Sequence, residues 1–441
     1  LKFIIDERLF DRASLDLRAD GFESLSESLK NYGPESVGLS LGIDPDMIKN
    51  AAKFFAEAET AVVIITEGLN KSIDSVPLSL AAVNLAVVTG HVGKESCGVY
   101  ILGEKANAQG VVDMGLIPDL LPGCQSIDDE SSRSKFESIW NAKLPVSPGL
   151  KAKDIFEAAE KGNVKGLYAV GENFIDNYPN RRQLETAVGK LDFLVVQDMF
   201  MSSTAKMADV ILPAAAAYEK SGTFTSAERR VQRLNPSSKG KVGKTDLEIF
   251  SMIANRMGAL GIAYNGCSEI MAEIASLVPM YAGISYDRIG HEGLVWPCVD
   301  RQDPGSSILY EGGFPGGKAR LIPVGPPRAI PETNSSFRLI PTINKFHSGS
   351  FSEWSPSLND VCPGRFAEMN EKDMSALGIG EGDYIKISGS SGEIIELVVK
   401  ESRRPLRGTI LVPYHFSENR LNSFSDWGSV EIPVSLEKVS N

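Results

Sequence analysis

Residues 166–213 read GLYAVGENFIDNYPNRRQLETAVGKLDFLVVQDMFMSSTAKMADVILP. This stretch contains three short apolar runs, at residues 166–170, 193–196 and 210–212, and each run predicts a strand. Residues 181–190 carry a helical pattern between the first two runs. Because strands that alternate with helices usually build a parallel sheet, the stretch predicts a sheet with helices packed against it.

The ends of the predicted strands carry polar side chains and a glycine. Gly171, Glu172 and Asn173 follow the first strand, and Gln197 and Asp198 close the second. In open α/β sheets, ligands bind beyond the carboxyl ends of the strands. Gly171 allows close approach of the backbone to a bulky ligand, and the amides and carboxylates suit a guanine edge or a ribose hydroxyl. A nucleotide site is predicted here, although α/β domains without a ligand can end their strands in the same way.

Similar signals occur nearer the N-terminus. Asp44 and Pro45 predict a helix start, because an N-cap acceptor precedes a proline at the first helical position. Residues 61–65 are a continuous apolar run that predicts a strand buried on both faces, and residues 78–88 predict an apolar helix. The predicted fold class is therefore α/β, with Rossmann-like parallel-sheet domains that carry helices on both faces.

The pattern changes after residues 301–330, which are rich in glycine and proline. Residues 384–388 and 396–399 are short alternating runs punctuated by glycines, which is typical of a small β-barrel or sandwich. The sequence thus predicts four regions: an α/β domain that lacks its start at 1–103, a second, dinucleotide-binding-like α/β domain at 104–300, a linker at 301–330 and a barrel at 331–441.

Composition narrows the set of partners. A net charge of −12 argues against nucleic acid and against anionic membrane surfaces, and no apolar stretch is long enough to span a bilayer. The five cysteines form no C-x-x-C pair and are widely spaced, which favours reduced thiols in a cytoplasmic protein. No metal site is predicted.

Longer motifs carry a family resemblance. They are GEKANAQGVVDMGLIPDLLPG at residues 103–123, GENFIDNYPN at 171–180, the run from 191 to 233, YAGIS at 281–285 and WPC at 296–298. In this order they resemble the molybdopterin oxidoreductases, in particular formate dehydrogenase catalytic subunits and the large subunit of bacterial NADH:quinone oxidoreductase (complex I). The resemblance extends over nearly the whole chain. It implies that the C-terminal region is a six-stranded double-psi β-barrel.

The resemblance also implies a groove for a pterin guanine dinucleotide. Hydroxyl and guanidinium groups suited to phosphate lie between residues 223 and 230, although these residues, with Glu219 and Lys220, could instead tie their loop to the sheet by ion pairs. Histidines in the barrel match pterin contacts of the family, but a lone histidine is more often structural. No catalytic residue is predicted. The predicted cofactor-binding residues are Lys105, Asn107, Gln109, Gly171, Glu172, Asn173, Gln197, Asp198, Thr223, Thr225, Arg229, Arg230, His347, Ser348, His415 and Asn422.

Two departures distinguish between the two relatives. Formate dehydrogenases of this family carry an arginine that orients the anionic substrate where this chain, in register, has Gly103, and Lys105 lacks the planar guanidinium fork. The compact Asn-x-Phe-His-Ser-Gly segment at residues 344–349 is more similar to the complex I subunit. The absence of the arginine at Gly103 predicts that this chain does not oxidise formate.

The preferred hypothesis is therefore the C-terminal part of the complex I large iron–sulfur subunit, a scaffold with no active site and no required cofactor of its own. It places 4Fe-4S and 2Fe-2S clusters only in a missing N-terminal part. The partners would be other subunits of a redox complex, on the cytoplasmic face of the inner membrane. The alternatives are the molybdopterin guanine dinucleotide-binding part of a molybdenum or tungsten formate dehydrogenase catalytic subunit, and a non-redox pterin-binding or assembly module.

Overall fold

A computed structural model describes residues 1–66, 74–103, 105–240, 243–259, 262–325, 337–347, 349–390, 392–427 and 432–439. Its α-helices run over Lys2–Asp6, Arg12–Arg18, Phe22–Ser28, Pro34–Leu41, Pro45–Glu57, Ser75–Val88, Ala108–Asp113, Glu130–Trp140, Ala152–Glu160, Phe174–Asn177, Arg181–Val188, Asp246–Arg256, Cys267–Leu277, Tyr286–Ile289, Pro356–Val361 and Glu371–Leu377.

The strands are β1 (Ala19–Asp20), β2 (Val62–Ile65), β3 (Gly98–Ile101), β4 (Leu120–Leu121), β5 (Gln125–Ser126), β6 (Gly166–Val170), β7 (Phe193–Asp198), β8 (Val210–Pro213), β9 (Gly222–Thr225), β10 (Arg230–Leu234), β11 (Leu294–Val295), β12 (Ala319–Arg320), β13 (Phe337–Thr342), β14 (Phe366–Met369), β15 (Tyr384–Gly389), β16 (Ile394–Glu401), β17 (Thr409–Pro413) and β18 (Ile432–Lys438). Within the described residues, no helix has the length and apolar character that a bilayer span requires.

The chain divides into two compact units, each built from segments that are distant in sequence. The first unit comprises residues 1–149 and 221–236 together with the described residues 262–325. The second unit comprises residues 150–220 and the described parts of 237–259 and 337–439. The four regions predicted from the sequence stay a prediction, and the end of the predicted linker lies outside the described residues.

The first unit contains small sheets and short helices. The predicted helix start is confirmed, because the Asp44 side chain accepts the N–H of Asp46 and Pro45 opens the helix Pro45–Glu57. Strand β2 forms as predicted and pairs in parallel with β3, but the predicted burial on both faces was wrong. Val62 is 42% exposed and Ile64 is 58% exposed, because among the described residues the sheet consists of β2 and β3 alone and this face has no covering layer.

An antiparallel sheet in the order β11–β10–β9 lies elsewhere in the first unit. Its buried Val231 belongs to a core that also includes Phe136, Leu277, Tyr281 and Trp296. Residues 301–325, part of the predicted linker, contribute to this unit as well: β12 pairs with β1, and Leu321 is buried.

The central sheet of the second unit has the order β6–β7–β8 and is parallel throughout. The helices Ala152–Glu160 and Arg181–Val188 pack against one face through Phe156 and Leu184. On the other face, the ring of Tyr168 contacts Phe250 of the helix Asp246–Arg256 at a centroid distance of 6.2 Å, because side chains alternate across a strand. The predicted parallel sheet with helices on both faces is confirmed.

The C-terminal strands form a closed barrel in the order β13–β17–β14–β16–β15–β18. Two of its pairs, β13 with β17 and β14 with β16, are parallel, whereas the others are antiparallel. Buried aliphatic side chains form its core, among them Leu339, Ile385, Ile387, Val399 and Val412. The predicted six-stranded barrel of the double-psi type is confirmed.

Candidate functional site

The predicted cofactor-binding residues fall into three groups. Ser348 lies outside the described residues. The second unit holds the strand-end group and the barrel group, which are Gly171, Glu172, Asn173, Gln197, Asp198, His347, His415 and Asn422. The first unit holds the remaining group, which is Lys105, Asn107, Gln109, Thr223, Thr225, Arg229 and Arg230.

The turn after β6 has an open backbone at Gly171. Its φ of +62° lies in the left-handed region, and a Cβ built there would meet no atom within 4 Å. The N–H of Gly171 donates to the carbonyl of Gln197 at 2.8 Å, which joins the ends of β6 and β7. The turn therefore leaves free space beside the strand ends, as the nucleotide prediction requires.

The side chains of Asn173 and Asp198 are buried and shape the adjoining loops. Asn173 Oδ1 accepts the N–H and the hydroxyl of Thr204 at 3.2 and 3.1 Å. Asp198 accepts the N–H of Met199 at 2.7 Å and the hydroxyl of Ser202 at 3.3 Å. The structure brings both residues to one edge of the sheet, where they hold loop backbone in place.

Gln197 is the centre of a polar chain that the sequence did not predict. The Tyr168 hydroxyl donates to Gln197 Oε1, and Gln197 Nε2 donates to Asp246 at 2.6 Å. Lys220 forms an ion pair with Asp246. Burial, with the nearby Asp246 carboxylate, raises the pKa of Tyr168. The sequence analysis had offered ion pairs between this loop and the sheet as an alternative to phosphate binding. For Lys220 the structure shows such an ion pair.

The barrel loops bring two histidines into contact. The rings of His347 and His415 stack with their centroids 4.0 Å apart and their planes 8° from parallel. The side chains are only 2% and 1% exposed. His347 Nε2 lies 3.3 Å from the carbonyl oxygen of Cys362, whereas His347 Nδ1 and both ring nitrogens of His415 have no hydrogen-bond partner among the described residues.

The pKa of His415 lies at about 4, because burial and then the neighbouring His347 disfavour its charged form. At neutral pH the ring is therefore uncharged, with one nitrogen that donates and one that accepts. Asn422, the fourth barrel residue, uses its Nδ2 to donate to the carbonyls of Ile175 and Tyr178 at 2.7 Å each. Asn422 thus holds the loop that follows the strand end rather than joining the histidines.

In the first unit, the side chain of Arg229 is buried and bonds to the backbone of the same unit. It donates to the carbonyl oxygens of Trp296, Ser306 and Ser307, and its guanidinium lies 5.3 Å from the centre of the Trp296 ring. Burial lowers its pKa. Arg230 pairs with Glu228 at 3.3 Å. Both arginines therefore use their guanidinium groups for contacts within this unit. Thr223 lies on β9 opposite Arg233 of β10.

A buried carboxylate, Asp113, lies beside these residues and was not predicted. Its Oδ1 accepts Gln109 Nε2 at 2.8 Å. Its Oδ2 accepts the hydroxyl of Tyr281 at 2.7 Å and the indole N–H of Trp296 at 2.8 Å. Burial raises the pKa of Asp113. The motifs at residues 103–123, 281–285 and 296–298 therefore meet at one carboxylate. Their positions along the chain do not reveal this contact, because it forms only in the folded protein.

The remaining residues of this group lie at the start of the helix Ala108–Asp113. Asn107 Oδ1 accepts the N–H of Thr225 at 2.9 Å. Lys105 is exposed. At Gly103 an added Cβ would meet only the Cβ of Ala108, at 3.4 Å, so the backbone there could carry a side chain. In the parts of the chain that the structure describes, no group of three or more potential metal ligands comes together.

Comparison with known proteins identifies the family. Residues 20–256 match the molybdopterin oxidoreductase model, and residues 339–434 match the molybdopterin dinucleotide binding domain. The first match alone covers more than half of the chain. The protein belongs to the molybdopterin oxidoreductase family.

Two relatives are formate dehydrogenase subunits. The F420-dependent formate dehydrogenase subunit alpha of Methanocaldococcus jannaschii is 35% identical over 434 residues, which cover 96% of this chain and 63% of the relative. The F420-dependent formate dehydrogenase 1 subunit alpha of Methanococcus maripaludis is 32% identical, with 95% and 63% coverage. The chain therefore spans a little under two thirds of their length. Acetylene hydratase from Pelobacter acetylenicus shares the fold, with a TM-score of 0.69 at 18% identity over 93% of this chain and 61% of that one.

The complex I hypothesis was wrong. The two relatives described above are formate dehydrogenase subunits, and the match to a dinucleotide-binding domain also removes the support for a segment that requires no cofactor. The error came from giving weight to Gly103 and to the short barrel entry. One missing charge alters how a substrate is held, but it does not change the fold.

Proposed function

We propose that this chain is the pterin-binding part of a molybdenum or tungsten oxidoreductase of the formate dehydrogenase type. In this proposal it binds molybdopterin guanine dinucleotide and works with other subunits of a redox complex. The names of relatives at 32% and 35% identity support the reaction class. The stacked pair His347 and His415, which lies within residues matched by the dinucleotide-binding domain, carries the proposal.

The physical argument rests on unsatisfied polar atoms. A buried polar atom without a partner costs about 1–3 kcal/mol, so native proteins contain few of them and each one needs an explanation. Three such nitrogens lie in this one pair of stacked rings, and Oδ1 of Asn419 and Asn422 add two buried oxygens on the following loop. A polar ligand with both donors and acceptors would satisfy these atoms.

When bound, the pterin would supply the metal's ligands and hence the redox chemistry. The residues of this chain would hold and orient it. The neutral His415 ring offers one donor and one acceptor, while Gly171 leaves room at the strand ends, where the guanosine end is expected. The bonds between Gln197, Asp246 and Lys220 fix that edge in advance, which reduces the entropy lost on binding.

The test is the cofactor content of the full-length protein, purified from a host that makes molybdenum and tungsten pterins. Metal is measured by mass spectrometry and pterin by the fluorescence of its oxidised form. We expect near-stoichiometric amounts of both in the wild type and a loss of roughly tenfold or more in the double variant His347→Phe/His415→Phe. His91→Phe is the matched control, because His91 is equally buried and both of its ring nitrogens are bonded. A wild type without pterin would refute the proposal.

Formate is tested separately, through formate-dependent reduction of a dye. The family resemblance places Gly103 at the position of a substrate-orienting arginine, so we expect a high KM for formate. Gly103→Arg should lower that KM several-fold, because a guanidinium pairs with a carboxylate in a bidentate manner. A pterin-loaded wild type that does not reduce the dye, even as Gly103→Arg, would keep the cofactor proposal and exclude formate as the substrate.

A further inference from the structure

Hydrogen bonds fix the orientation of two side-chain amides at the start of the helix Ala108–Asp113. Asn107 Oδ1 is occupied by the backbone N–H of Thr225. Gln109 Nε2 is occupied by Asp113 Oδ1. An amide carries an acceptor at one end and donors at the other. Asn107 therefore turns its Nδ2 end away from the Thr225 N–H, and Gln109 turns its Oε1 end away from Asp113.

Asp113 cannot reverse this orientation. Its Oδ2 accepts the Tyr281 hydroxyl and the Trp296 indole N–H. Because the indole nitrogen can only donate, this side of the cluster requires an oxygen. The carboxylate is fully buried, with its second oxygen directed to Gln109. Gly110 leaves room for the Asn107 side chain, since a Cβ at position 110 would overlap with Asn107 Oδ1.

We propose that Asp113 is a positioning residue that makes Gln109 present its carbonyl acceptor, and not its NH2, to a ligand, while the Thr225 N–H makes Asn107 present its amide donor. The ligand class is a group that offers an acceptor and a donor side by side, as the edge of a cyclic amide does. This inference rests on the proposed function, because it requires a ligand at this turn.

The variant Asp113→Asn tests the direction of the bonds. Tyr281 and Trp296 hold the oxygen of the new amide, so its NH2 faces Gln109. Two donors then oppose each other, and Gln109 must turn its amide and present its own NH2 to the ligand. In the full-length protein we expect a roughly tenfold to hundredfold loss, either in pterin and metal content or as a rise in the KM for formate with kcat less affected.

The double variant Asp113→Asn/Gln109→Glu is the rescue. One oxygen of the new carboxylate accepts from the asparagine, and the other again presents an acceptor. We expect pterin content and KM to return to within about threefold of the wild type, a smaller residual loss than a single lost hydrogen bond causes. A purely structural role for Asp113 would not be restored by reversing the bond, so equal impairment of the single and double variants would overturn the proposal.

Two further variants guard against a folding defect. Gln109→Met keeps Asp113 but removes the acceptor, and it should reproduce the loss seen in Asp113→Asn. Asn84→Ala breaks buried bonds to Ile322 elsewhere in the first unit; it should lower the melting temperature and leave pterin content and KM unchanged. Normal pterin content and KM in Asp113→Asn would overturn the inference alone, whereas a wild type without pterin or metal would overturn the proposed function as well.

Discussion

Asp113 in the first unit and the histidine pair in the second unit are both buried polar clusters, but they differ in how far the chain satisfies them. Every oxygen of the Asp113 carboxylate has a donor from Gln109, Tyr281 or Trp296. In the pair of His347 and His415, three of four ring nitrogens have no partner among the described residues. The first cluster is complete in itself, whereas the second has the polar groups that a ligand would need.

The difference explains why burial alone does not mark a functional residue. His91 is as deeply buried as His415, yet its Nδ1 lies 2.8 Å from Thr89 Oγ1 and its Nε2 lies 2.9 Å from the carbonyl of Ala58. A satisfied histidine stabilises the fold, whereas an unsatisfied one destabilises it until something binds. The two clusters should therefore respond in opposite ways to loss of their polar atoms.

The largest effect is expected for Asp113→Ala. Removal of the carboxylate would leave three buried donors without an acceptor, and the free energy of unfolding should fall by about 3–5 kcal/mol. Urea unfolding of the purified protein measures this change. A loss below about 1 kcal/mol would show that the cluster is less tightly built than its hydrogen bonds indicate.

Acidification should reveal the histidine pair. The pKa of His415 is lowered from 6.5 to about 4 in the folded protein, so the unfolded chain takes up a proton first. The stability that neutral His415 contributes is fully present above pH 6.5. The free energy of unfolding then falls by about 3 kcal/mol in total as the pH drops towards 4. Burial raises the pKa of Asp113, which acts in the opposite direction. Comparison of the pterin-free wild type with His415→Phe at pH 7 and pH 5 cancels the Asp113 contribution, and parallel pH profiles would contradict this assignment.

Replacement of each histidine by phenylalanine compares the two kinds of site directly. His91→Phe removes the partner of the Ala58 carbonyl and one of the hydrogen bonds of Thr89 Oγ1, and it should destabilise the protein by about 2 kcal/mol. His415→Phe keeps a stacked ring and removes two unsatisfied nitrogens, so the pterin-free protein should keep or gain stability. Melting temperatures of both variants provide the measurement, and equal losses would remove the distinction between them.

The smallest effects concern two glycines. Gly110→Ala should cost about 2 kcal/mol, because the new Cβ overlaps with Asn107. Gly171→Ala should cost only about 1 kcal/mol, from its left-handed backbone, because no atom lies within 4 Å of the new methyl group. Urea unfolding ranks the two variants, and the reverse order would mean that the turn after β6 is the more tightly packed one.

Local patterns were sufficient to predict much of the fold. The three runs at 166–170, 193–196 and 210–212 became β6, β7 and β8. Short apolar runs bounded by polar residues, glycine or proline are typical of strands in a parallel sheet. The cofactor-binding residues stay a prediction. Asn173 and Arg229 were chosen for their chemistry, but that chemistry serves loops and packing in the structure, since the same donors suit a carbonyl and a phosphate equally.

The sequence by itself determined the secondary structure, the barrel and the family, because periodicity, turn residues and ordered motifs are properties of the linear chain. Only the tertiary structure decided which polar groups are satisfied. Asp113 meets Tyr281 and Trp296 across more than 160 residues, and His347 meets His415 across the barrel loops. Hydrogen bonds depend on distances of a few tenths of an ångström, and no spacing along the chain fixes these distances between segments that only folding brings together.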